Sequence, residues 1–320
     1  MILITGGLGY VGSFTCKFLS KKNTLFSIDN LSRGNSFSGK YCKNFKVNIG
    51  DVSKVSKIIK KNKIDTILHL AAYTCVRESN NKREIYKINN FVNQKKFLKT
   101  AIKNGVKKII FSSSYCVENI SQSKVTEISP YARYKYLIEN YLKRLSKKRN
   151  INVIIIRYPN ISGASLKADL GEKNDKITRI FPTFYKKILY KKKIKLFYDP
   201  KSNIYPKRSY IHVEDIAYLN FKLIKYIAKM KKKILLFKVK NKLNYSNKDI
   251  YNIMSKKLNK KTSVELKKIN ITEKLTPSKF KINKDFNKIN WKPKNSSLRQ
   301  ICNTNLKWFK KIYQRKPSEF

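Results

Sequence analysis

Residues 1–13, MILITGGLGYVGS, decide the fold of this chain. The first five residues are mostly apolar and typical of a buried strand, and Gly6, Gly9 and Gly12 follow at a spacing of three. An apolar pattern at helical spacing begins immediately afterwards. A strand that runs through a glycine turn into a helix is the context in which such glycines indicate dinucleotide binding.

Each glycine of this turn has a predicted mechanical role. Gly6 makes the tight turn, Gly9 lets the backbone approach a pyrophosphate, and Gly12 lets the helix and the strand pack closely. The pyrophosphate is expected at the positive end of the helix, against backbone N–H groups. The alternative is an ordinary surface turn, which the flanking strand and helix disfavour.

An acidic residue follows the second predicted strand, residues 24–28. Asp29 comes about 20 residues after the glycine turn, where a carboxylate accepts hydrogen bonds from an adenosine ribose. A carboxylate there repels a 2′-phosphate, so NAD is favoured over NADP, although the nearby Arg33 weakens the preference. The alternative is a turn aspartate that precedes Asn30.

The composition indicates a globular chain. At 320 residues with 41% apolar content, the chain is long enough for one large or two modest domains. No apolar run is long enough to span a membrane, and we expect no signal peptide, because no basic residues precede the first apolar stretch. The five scattered cysteines favour reduced thiols in the cytoplasm, without a disulfide frame or a metal site.

The net charge of +54 is unusual for a globular chain. Taken alone it suggests a nucleic-acid or anionic-membrane partner. The basic residues are mostly lysine, however, and they are spread along the whole chain, whereas a nucleic-acid site is local and rich in arginine. We therefore favour mutational drift toward A/T-rich codons, and expect neither a specific nucleic acid nor a membrane as partner.

Strand and helix patterns alternate along the first half of the chain. Further strands are predicted at 45–49, 65–72, 106–114 and 151–158, and helices at 53–61, 84–104 and 130–149. This rhythm is typical of right-handed βαβ units and a parallel sheet. Beyond Pro159 the rhythm changes, with short strands at 194–197 and 234–239 among helices. We therefore expect a nucleotide-binding domain over 1–160 and a smaller lobe over 161–320, with an approximate boundary and possible exchange of segments.

Three polar features follow the predicted nucleotide site. Ser112 to Ser114 lie at the carboxyl end of a strand, where ligands of open α/β sheets bind. Tyr131 and Lys135 are four residues apart at the start of a helix and so share one face. A lysine cation beside a phenol favours the phenolate, which makes a usable general base for oxidising an alcohol while NAD takes the hydride. A single Tyr-x-x-x-Lys is weak evidence in a chain with 20 tyrosines, but here it follows a dinucleotide motif.

Several segments together carry a family resemblance: TGGLGYVGSFTCKFL, IDNLSRGN, GDV, ILHLAA, IIFSSS, SPYARYKYLIE, IIRYPNISGA and YIHVEDIA. The chain resembles the extended short-chain dehydrogenases/reductases, in the NAD-dependent sugar epimerase/dehydratase family. The resemblance implies an α/β fold, a Rossmann-type doubly wound parallel sheet with a smaller C-terminal α/β substrate lobe. It also implies a homodimer that associates through the helices carrying Asn90 and Tyr131.

The resemblance assigns roles to individual residues. The expected catalytic residues are Ser114, Tyr131 and Lys135. The expected NAD-binding residues are Gly6, Gly9, Tyr10, Val11, Gly12, Asp29, Asn30, Asp51, Val52, Leu70, Ala71, Ala72, Asn90, Tyr131 and Lys135. The expected nucleotide-sugar contacts are Ser114, Asn160, Arg179 and Arg208, with Arg208 as a charge partner for the diphosphate.

The spacing from Gly163-Ala164 to Gly171-Glu172 resembles the 4-epimerase branch, so the expected reaction inverts C4 of a nucleotide-sugar such as UDP-glucose or UDP-galactose. The chain also departs from the family pattern on the substrate side. These departures are Thr74, residues 115–119, Pro159, Arg179, Ser209 and the absence of an Arg-x-Gly-Asp motif near 267–274. Three alternatives stay open: an epimerase of another nucleotide-sugar, a dehydratase, and a basic NAD-binding protein without catalysis. Tyr115 and Cys116 disfavour the dehydratase, because it needs an acid pair there.

Overall fold

The computed structural model describes residues 1–20, 24–34, 36–118, 120, 125–172, 179–200, 204–231, 233–268 and 284–313. Parts of two segments named above fall outside these ranges: Asn119 of the segment 115–119, and residues 269–274 of the segment 267–274. By backbone packing the chain forms two compact units. The first comprises 1–158, 217–239 and 282–291, and the second comprises 159–216, 240–281 and 292–320.

The regular elements are named in chain order. The strands are β1 (Ile2–Thr5), β2 (Leu25–Ile28), β3 (Lys43–Phe45), β4 (Thr66–His69), β5 (Lys108–Ser114), β6 (Asn152–Tyr158), β7 (Asn160–Ser162), β8 (Ile194–Tyr198), β9 (Lys207–His212), β10 (Ile234–Lys238), β11 (Asn244–Ser246) and β12 (Val264–Lys268). The helices are α1 (Tyr10–Leu19), α2 (Val52–Lys61), α3 (Val76–Asn81), α4 (Arg83–Lys87), α5 (Asn93–Lys103), α6 (Pro130–Lys148), α7 (Ile180–Leu189), α8 (Val213–Ala228), α9 (Asn247–Leu258), α10 (Lys284–Asn287) and α11 (Leu298–Tyr313).

The first unit is built on a seven-stranded sheet in the order β10-β6-β5-β4-β1-β2-β3. All its strand pairs are parallel. The predicted doubly wound parallel sheet is therefore confirmed. The strand order reverses between β1 and β4, and ligands of such sheets bind outside the carboxyl ends of the strands at this point.

Strand β10 corrects the sequence analysis, which placed residues 234–239 in the smaller lobe. Its Ile234 pairs with Val153, so β10 is the outer neighbour of β6 in the main sheet. A short apolar run predicts a strand, but its sequence carries no information about which distant strand it pairs with.

Other element boundaries also differ from the prediction, and the strand expected over 65–72 is β4, which ends at His69. Strand β3 ends at Phe45, where residues 45–49 were expected to be the strand. Val47 and Ile49 nevertheless pack on the core. The alternation of apolar residues in this segment therefore reflects burial of the side chains and not pairing in the sheet. The helix predicted over 84–104 is α4 and α5 joined by a π-helical turn, Ile88–Val92.

The cores follow the predicted apolar faces. In α2 the side chains of Val55, Ile58 and Ile59 are buried, as their spacing predicts. Helix α6 begins as expected, because the Ser129 Oγ accepts a hydrogen bond from the Ala132 N–H (3.3 Å) and Pro130 occupies the first turn.

The second unit contains two small sheets, β11-β9-β7 and β12-β8. Helices α7, α9 and α11 pack around an apolar core that includes Phe181, Ile250 and Phe309. Across the described ranges of both units, no helix combines the length and the apolar character needed to cross a membrane.

Candidate active site

The glycine turn between β1 and α1 is packed too tightly for side chains. Gly6 has φ +70°, and a Cβ there would lie 2.9 Å from the Cα of Ala71. A Cβ on Gly12 would lie 2.7 Å from the Cα of Gly7 and would overlap the Gly6 carbonyl oxygen. Gly6 therefore makes the turn at the β1–β4 reversal, and Gly12 brings α1 onto the turn, as the sequence predicts. Gly7, which has no predicted role, is constrained as well, because a Cβ there would lie 2.8 Å from the Ser27 Cβ.

The start of α1 fits a bound pyrophosphate. Gly9 occupies the N-cap position of α1 and supplies no side-chain cap, and the first turn of the helix contains no acidic residue. The first N–H groups of a helix have no partner inside the helix, and the helix dipole favours an anion there. Because Gly9 itself has no side chain, this helix end can accept phosphate oxygens, and its contact with the cofactor stays a prediction.

Asp29 ties the end of β2 to the glycine turn. Its carboxylate accepts hydrogen bonds from the N–H groups of Leu8 (3.1 Å) and Leu31 (2.8 Å). Burial raises the pKa of this carboxyl, while the backbone hydrogen bonds oppose that rise. The side chain is only 8% exposed, so the carboxylate is held in one place at the carboxyl edge of the sheet. The hydrogen bond from the Leu31 N–H is also a local turn contact, so the role of Asp29 as a turn residue is compatible with its predicted role at the adenosine ribose.

Arg33, which weakened the preference for NAD, is held by other groups. Its guanidinium lies 2.5 Å from the Glu78 carboxylate and stacks 4.4 Å from the centre of the Tyr73 ring. The ion pair with Arg33 lowers the pKa of Glu78 against the effect of burial. A guanidinium committed to a carboxylate is less available to a 2′-phosphate, which strengthens the preference for NAD.

The other predicted cofactor residues lie around this edge of the sheet. Asn30 accepts a hydrogen bond from the Ser32 N–H (3.0 Å). Asp51 caps α2 by accepting from the Lys54 N–H (3.1 Å), and Val52 is exposed beside it. Leu70 to Ala72 continue from β4, where the Ala71 N–H donates to the Thr5 hydroxyl (3.2 Å).

Asn90 is buried in the π-helical turn and holds the loop after β4. Its Oδ1 accepts from the Tyr73 N–H (2.9 Å) and its Nδ2 donates to the Tyr73 carbonyl (2.8 Å). The described contacts of Asn90 therefore fix the backbone that follows Ala72. Its predicted contact with the cofactor stays a prediction.

Lys135 is buried at the carboxyl end of β5. Its Nζ donates to the Ser112 carbonyl oxygen (2.5 Å) and lies 4.8 Å from the centre of the Phe111 ring, with the residue 3% exposed. Burial lowers the pKa of Lys135 to about 7, with the Glu139 carboxylate opposing the change. Its ammonium is therefore close to titrating at neutral pH.

Tyr131 and Ser114 accompany this lysine. Tyr131 lies one helical turn before Lys135 on α6 and is 7% exposed, and its backbone N–H donates to Ser79 Oγ (3.3 Å). Ser114 ends β5, and its Oγ accepts from the Cys116 N–H (3.3 Å). The structure thus places the three predicted catalytic residues on β5 and the facing helix α6.

A buried ion network next to these residues escaped the sequence analysis. Arg157 on β6 donates to both carboxylate oxygens of Glu139 on α6, at 2.9 and 2.7 Å. Its remaining terminal nitrogen, Nη1, donates to Glu118 (2.8 Å), which also pairs with Lys238. The Ser113 Oγ donates to Glu139 (2.5 Å). The sequence does contain one signal for this network. Arg157 directly follows the apolar run of residues 153–156, and a charged residue at such a core position is rarely buried without a partner.

Three of the four predicted substrate residues, Asn160, Arg179 and Arg208, lie in the second unit, whereas Ser114 lies in the first. Asn160 on β7 donates to the Ser209 carbonyl oxygen (3.3 Å), and its strand pairs with β9, which carries Arg208. Arg179 comes immediately before α7, and its Nε lies 2.8 Å from the Glu172 carboxylate. Burial raises the pKa of Glu172, and Arg179 opposes that rise. The Arg179 charge therefore has a partner within its own unit.

The described residues contain no group of histidine, cysteine or carboxylate side chains that could hold a metal ion. The first unit carries a glycine turn that suits a dinucleotide and, on α6, a tyrosine one helical turn before a buried lysine. A doubly wound parallel sheet with both features defines a dinucleotide-dependent enzyme that moves hydride at an alcohol carbon.

The chain belongs to the NAD-dependent epimerase/dehydratase family, whose sequence model matches residues 2–237. It is 28% identical to the UDP-glucose 4-epimerase of Lactobacillus helveticus over 97% of each chain. Its fold matches the crystal structure of UDP-glucose 4-epimerase from Stenotrophomonas maltophila with bound NAD and formylated UDP-arabinopyranose. That match has a TM-score of 0.87 at 21% identity and covers 98% of this chain and 99% of the other. It also matches the UDP-Glc/GlcNAc 4-epimerase of Campylobacter jejuni, with a TM-score of 0.80 at 28% identity over 97% and 99% of the two chains.

Proposed function

We propose that the protein is an NAD-dependent nucleotide-sugar 4-epimerase that interconverts UDP-glucose and UDP-galactose. The observation that carries the proposal is the buried Lys135, fixed on the Ser112 carbonyl one helical turn from Tyr131 at the carboxyl edge of a dinucleotide-binding sheet. The likeness to a UDP-glucose 4-epimerase along nearly the full length of both chains supports the substrate class.

The proposed mechanism assigns one task to each residue. The Lys135 ammonium stabilises the phenolate form of Tyr131, which accepts the proton of the sugar 4-hydroxyl and later returns it. The Ser114 hydroxyl hydrogen-bonds the same sugar oxygen. Because the inversion needs hydride return to the opposite face of C4, the 4-keto sugar turns between the two transfers.

NAD, when bound, supplies the reversible hydride acceptor for this cycle. The residues proposed to hold it are those of the glycine turn, with Gly9 and the first turn of α1 at the pyrophosphate and Asp29 at the adenosine ribose. Since no net redox change occurs, the cofactor is expected to stay bound through many turnovers.

The sugar that the enzyme prefers is a separate part of the proposal. Arg208 and Asn160 are proposed contacts of the nucleotide-sugar, and Arg179 is a weaker one because it pairs with Glu172. A second candidate pair is UDP-N-acetylglucosamine and UDP-N-acetylgalactosamine. The likeness to the Campylobacter jejuni enzyme, named for both glucose and N-acetylglucosamine, favours testing it.

The proposal is tested on the purified protein. NAD released by denaturation is measured by absorbance, and C4 inversion is followed with UDP-galactose and, in parallel, UDP-N-acetylgalactosamine. Tyr131→Phe is expected to lower turnover about 100- to 10,000-fold, the usual contribution of a general base, while bound NAD stays at the parent level. The matched control is Tyr134→Phe, a buried tyrosine of the same helix and the same aromatic cluster, which is expected to stay active.

Each outcome of this test has a definite meaning. If Tyr131→Phe keeps parent activity, the assigned base is wrong. If NAD is bound and neither sugar is converted, the substrate assignment fails while the family assignment stands. If the protein carries NAD and shows no turnover with any nucleotide-sugar, the reading as a non-catalytic NAD-binding protein replaces the proposal.

We also propose a homodimer that forms through the helices carrying Asn90 and Tyr131. Ile85 on α4 and Ile88 in the π-helical turn are 51% and 47% exposed, and apolar side chains of this size favour burial in an interface. Sedimentation as a monomer at micromolar concentration would exclude it. A cytoplasmic location is proposed as well, because all five cysteines are present as thiols.

A further inference from the structure

The ion network beside Lys135 crosses three neighbouring strands. The strand register pairs Ser113 with Arg157 and Arg157 with Lys238, so β5, β6 and β10 bring these side chains to one edge of the sheet. Glu139 reaches the same edge from α6, one turn beyond Lys135. The network alternates in sign in the order Glu139, Arg157, Glu118 and Lys238.

The exposure of the side chains increases from Glu139 to Lys238 along this network. Glu139 is fully buried, whereas the side chains of Glu118 and Lys238 are 14% and 22% exposed. A buried charge acts through a low dielectric and is felt strongly by its neighbours. The outer pair can therefore be altered with less risk to folding than Glu139 itself.

The described groups around Lys135 leave few other sources of charge. On its own helix are Tyr131 and Glu139, and β5 contributes the Ser112 carbonyl and the Phe111 ring. His69 on β4 is also within electrostatic range of Lys135. Burial lowers the pKa of His69 to about 3, so this imidazole is neutral in the working range.

We propose that Glu118 and Lys238, acting through Arg157 and Glu139, set the charge of the Lys135 ammonium and thereby the pH range in which the tyrosine base works. This inference rests on the proposed function for its link to turnover. Glu118 and Lys238 are thus positioning residues, because they act on Lys135 through other side chains.

The network also gives a physical reason for a departure from the family pattern. The segment 115–119 was expected to alter the substrate side. Glu118 of that segment shares Arg157 with Glu139, and the effect of the segment on the substrate side stays a prediction. The negative charge of Glu118 prevents Arg157 from fully neutralising Glu139, and Lys238 limits that effect in turn.

The two single variants should change the stability of the Lys135 ammonium in opposite directions. Lys238→Gln removes a positive charge, so the Lys135 ammonium becomes more stable and persists to higher pH. Glu118→Gln removes a negative charge and makes the ammonium easier to deprotonate. The double variant Glu118→Gln/Lys238→Gln has no net change in charge and should resemble the parent, as should Lys238→Arg.

The experiment measures Lys135 directly as well as turnover. Competitive acetylation of the purified protein across pH 5–10, read by mass spectrometry on the peptide that contains Lys135, gives the midpoint for loss of its proton. We expect shifts of about half a pH unit or more, upward for Lys238→Gln and downward for Glu118→Gln, the order expected when one partly buried charge is removed. The alkaline limb of the turnover profile should move in the same directions.

A matched control separates local from general effects of charge. Lys60→Gln removes the same charge from an exposed position on α2 and should leave the midpoint unchanged. Equal shifts in Lys60→Gln and Lys238→Gln, or shifts of one sign in both single variants, would overturn the inference. A general loss of stability would not move the midpoint for loss of the Lys135 proton in opposite directions in Glu118→Gln and Lys238→Gln.

The two proposals fail in distinguishable ways. Opposed midpoint shifts without any epimerisation would support the network's control of Lys135 and count against the proposed function. Epimerisation with midpoints identical in all variants would leave the proposed function intact and refute the role of Glu118 and Lys238.

Discussion

Replacing Gly12 by alanine should separate α1 from the glycine turn. A Cβ at this position would lie 2.7 Å from the Gly7 Cα and 2.9 Å from the Gly6 carbonyl carbon. Carbon atoms at contact are about 3.5–4.0 Å apart, so the new methyl group must push backbone away by roughly 1 Å. Overpacking of this kind costs about 1–3 kcal/mol or more, and here no flexible side chain can yield.

A shift of that size also disturbs the proposed phosphate cradle. Hydrogen bonds from N–H to oxygen span about 2.7–3.2 Å, so a displacement of roughly 1 Å at the start of α1 breaks several of them. We therefore expect Gly12→Ala to lose most of its bound NAD and to unfold at lower urea concentration. The assays are absorbance of NAD released on denaturation and urea unfolding followed by circular dichroism.

The chain offers a matched control in Gly39, where a Cβ would meet none of the described atoms within 4 Å and φ needs no glycine. Gly39→Ala should be neutral, or more stable by about 0.4–1 kcal/mol through a less flexible unfolded chain. The reasoning is refuted if Gly12→Ala matches Gly39→Ala in stability and retains NAD at the parent level.

Three further changes test other parts of the structure. Both histidines are buried, and burial lowers the pKa of His69 to about 3 and of His212 to about 4. Since an unfolded histidine takes up its proton near pH 6.5, stability should fall below that pH, by about 2 kcal/mol per histidine at pH 5 relative to pH 7. Urea unfolding at pH 5 and pH 7 measures this change in stability. The variant His212→Gln should remove roughly half of the loss, and a stability that is the same at both pH values would contradict the prediction. Asn90→Ala removes the buried amide that makes two hydrogen bonds to the half-buried backbone of Tyr73, and it should cost about 2–3 kcal/mol in unfolding free energy. The matched control, Asn80→Ala at an exposed position, should cost little. Arg208→Gln should raise the KM for the nucleotide-sugar about tenfold or more with NAD retained, and an unchanged KM would remove Arg208 from the proposed substrate contacts.

The elements of the first unit were largely predictable because their signals are local. The glycine turn is set by neighbours in the chain, and the shared face of Tyr131 and Lys135 follows from helical spacing alone. The cap of α6 follows from Ser129 and Pro130 for the same reason.

Other features depend on residues that are far apart in sequence. The Arg33–Glu78 pair joins positions 45 residues apart, and the Lys238–Glu118 pair joins positions 120 apart. Neither spacing has a sequence signature, because each pair depends on which strands and loops become neighbours. The strand pairing of β10 was missed for the same reason.

The sequence by itself therefore determined the dinucleotide turn, the alternating strands and helices, and the identity of the tyrosine and lysine, because strand, turn and helix patterns are written in adjacent residues. The tertiary structure decided what surrounds them. It buried Lys135 on the Ser112 carbonyl, fixed Arg33 on Glu78, and gathered four charged side chains from α6, β6, β10 and the segment after β5. Burial and long-range pairing govern the charge on a side chain, and both exist only once the sheet has formed.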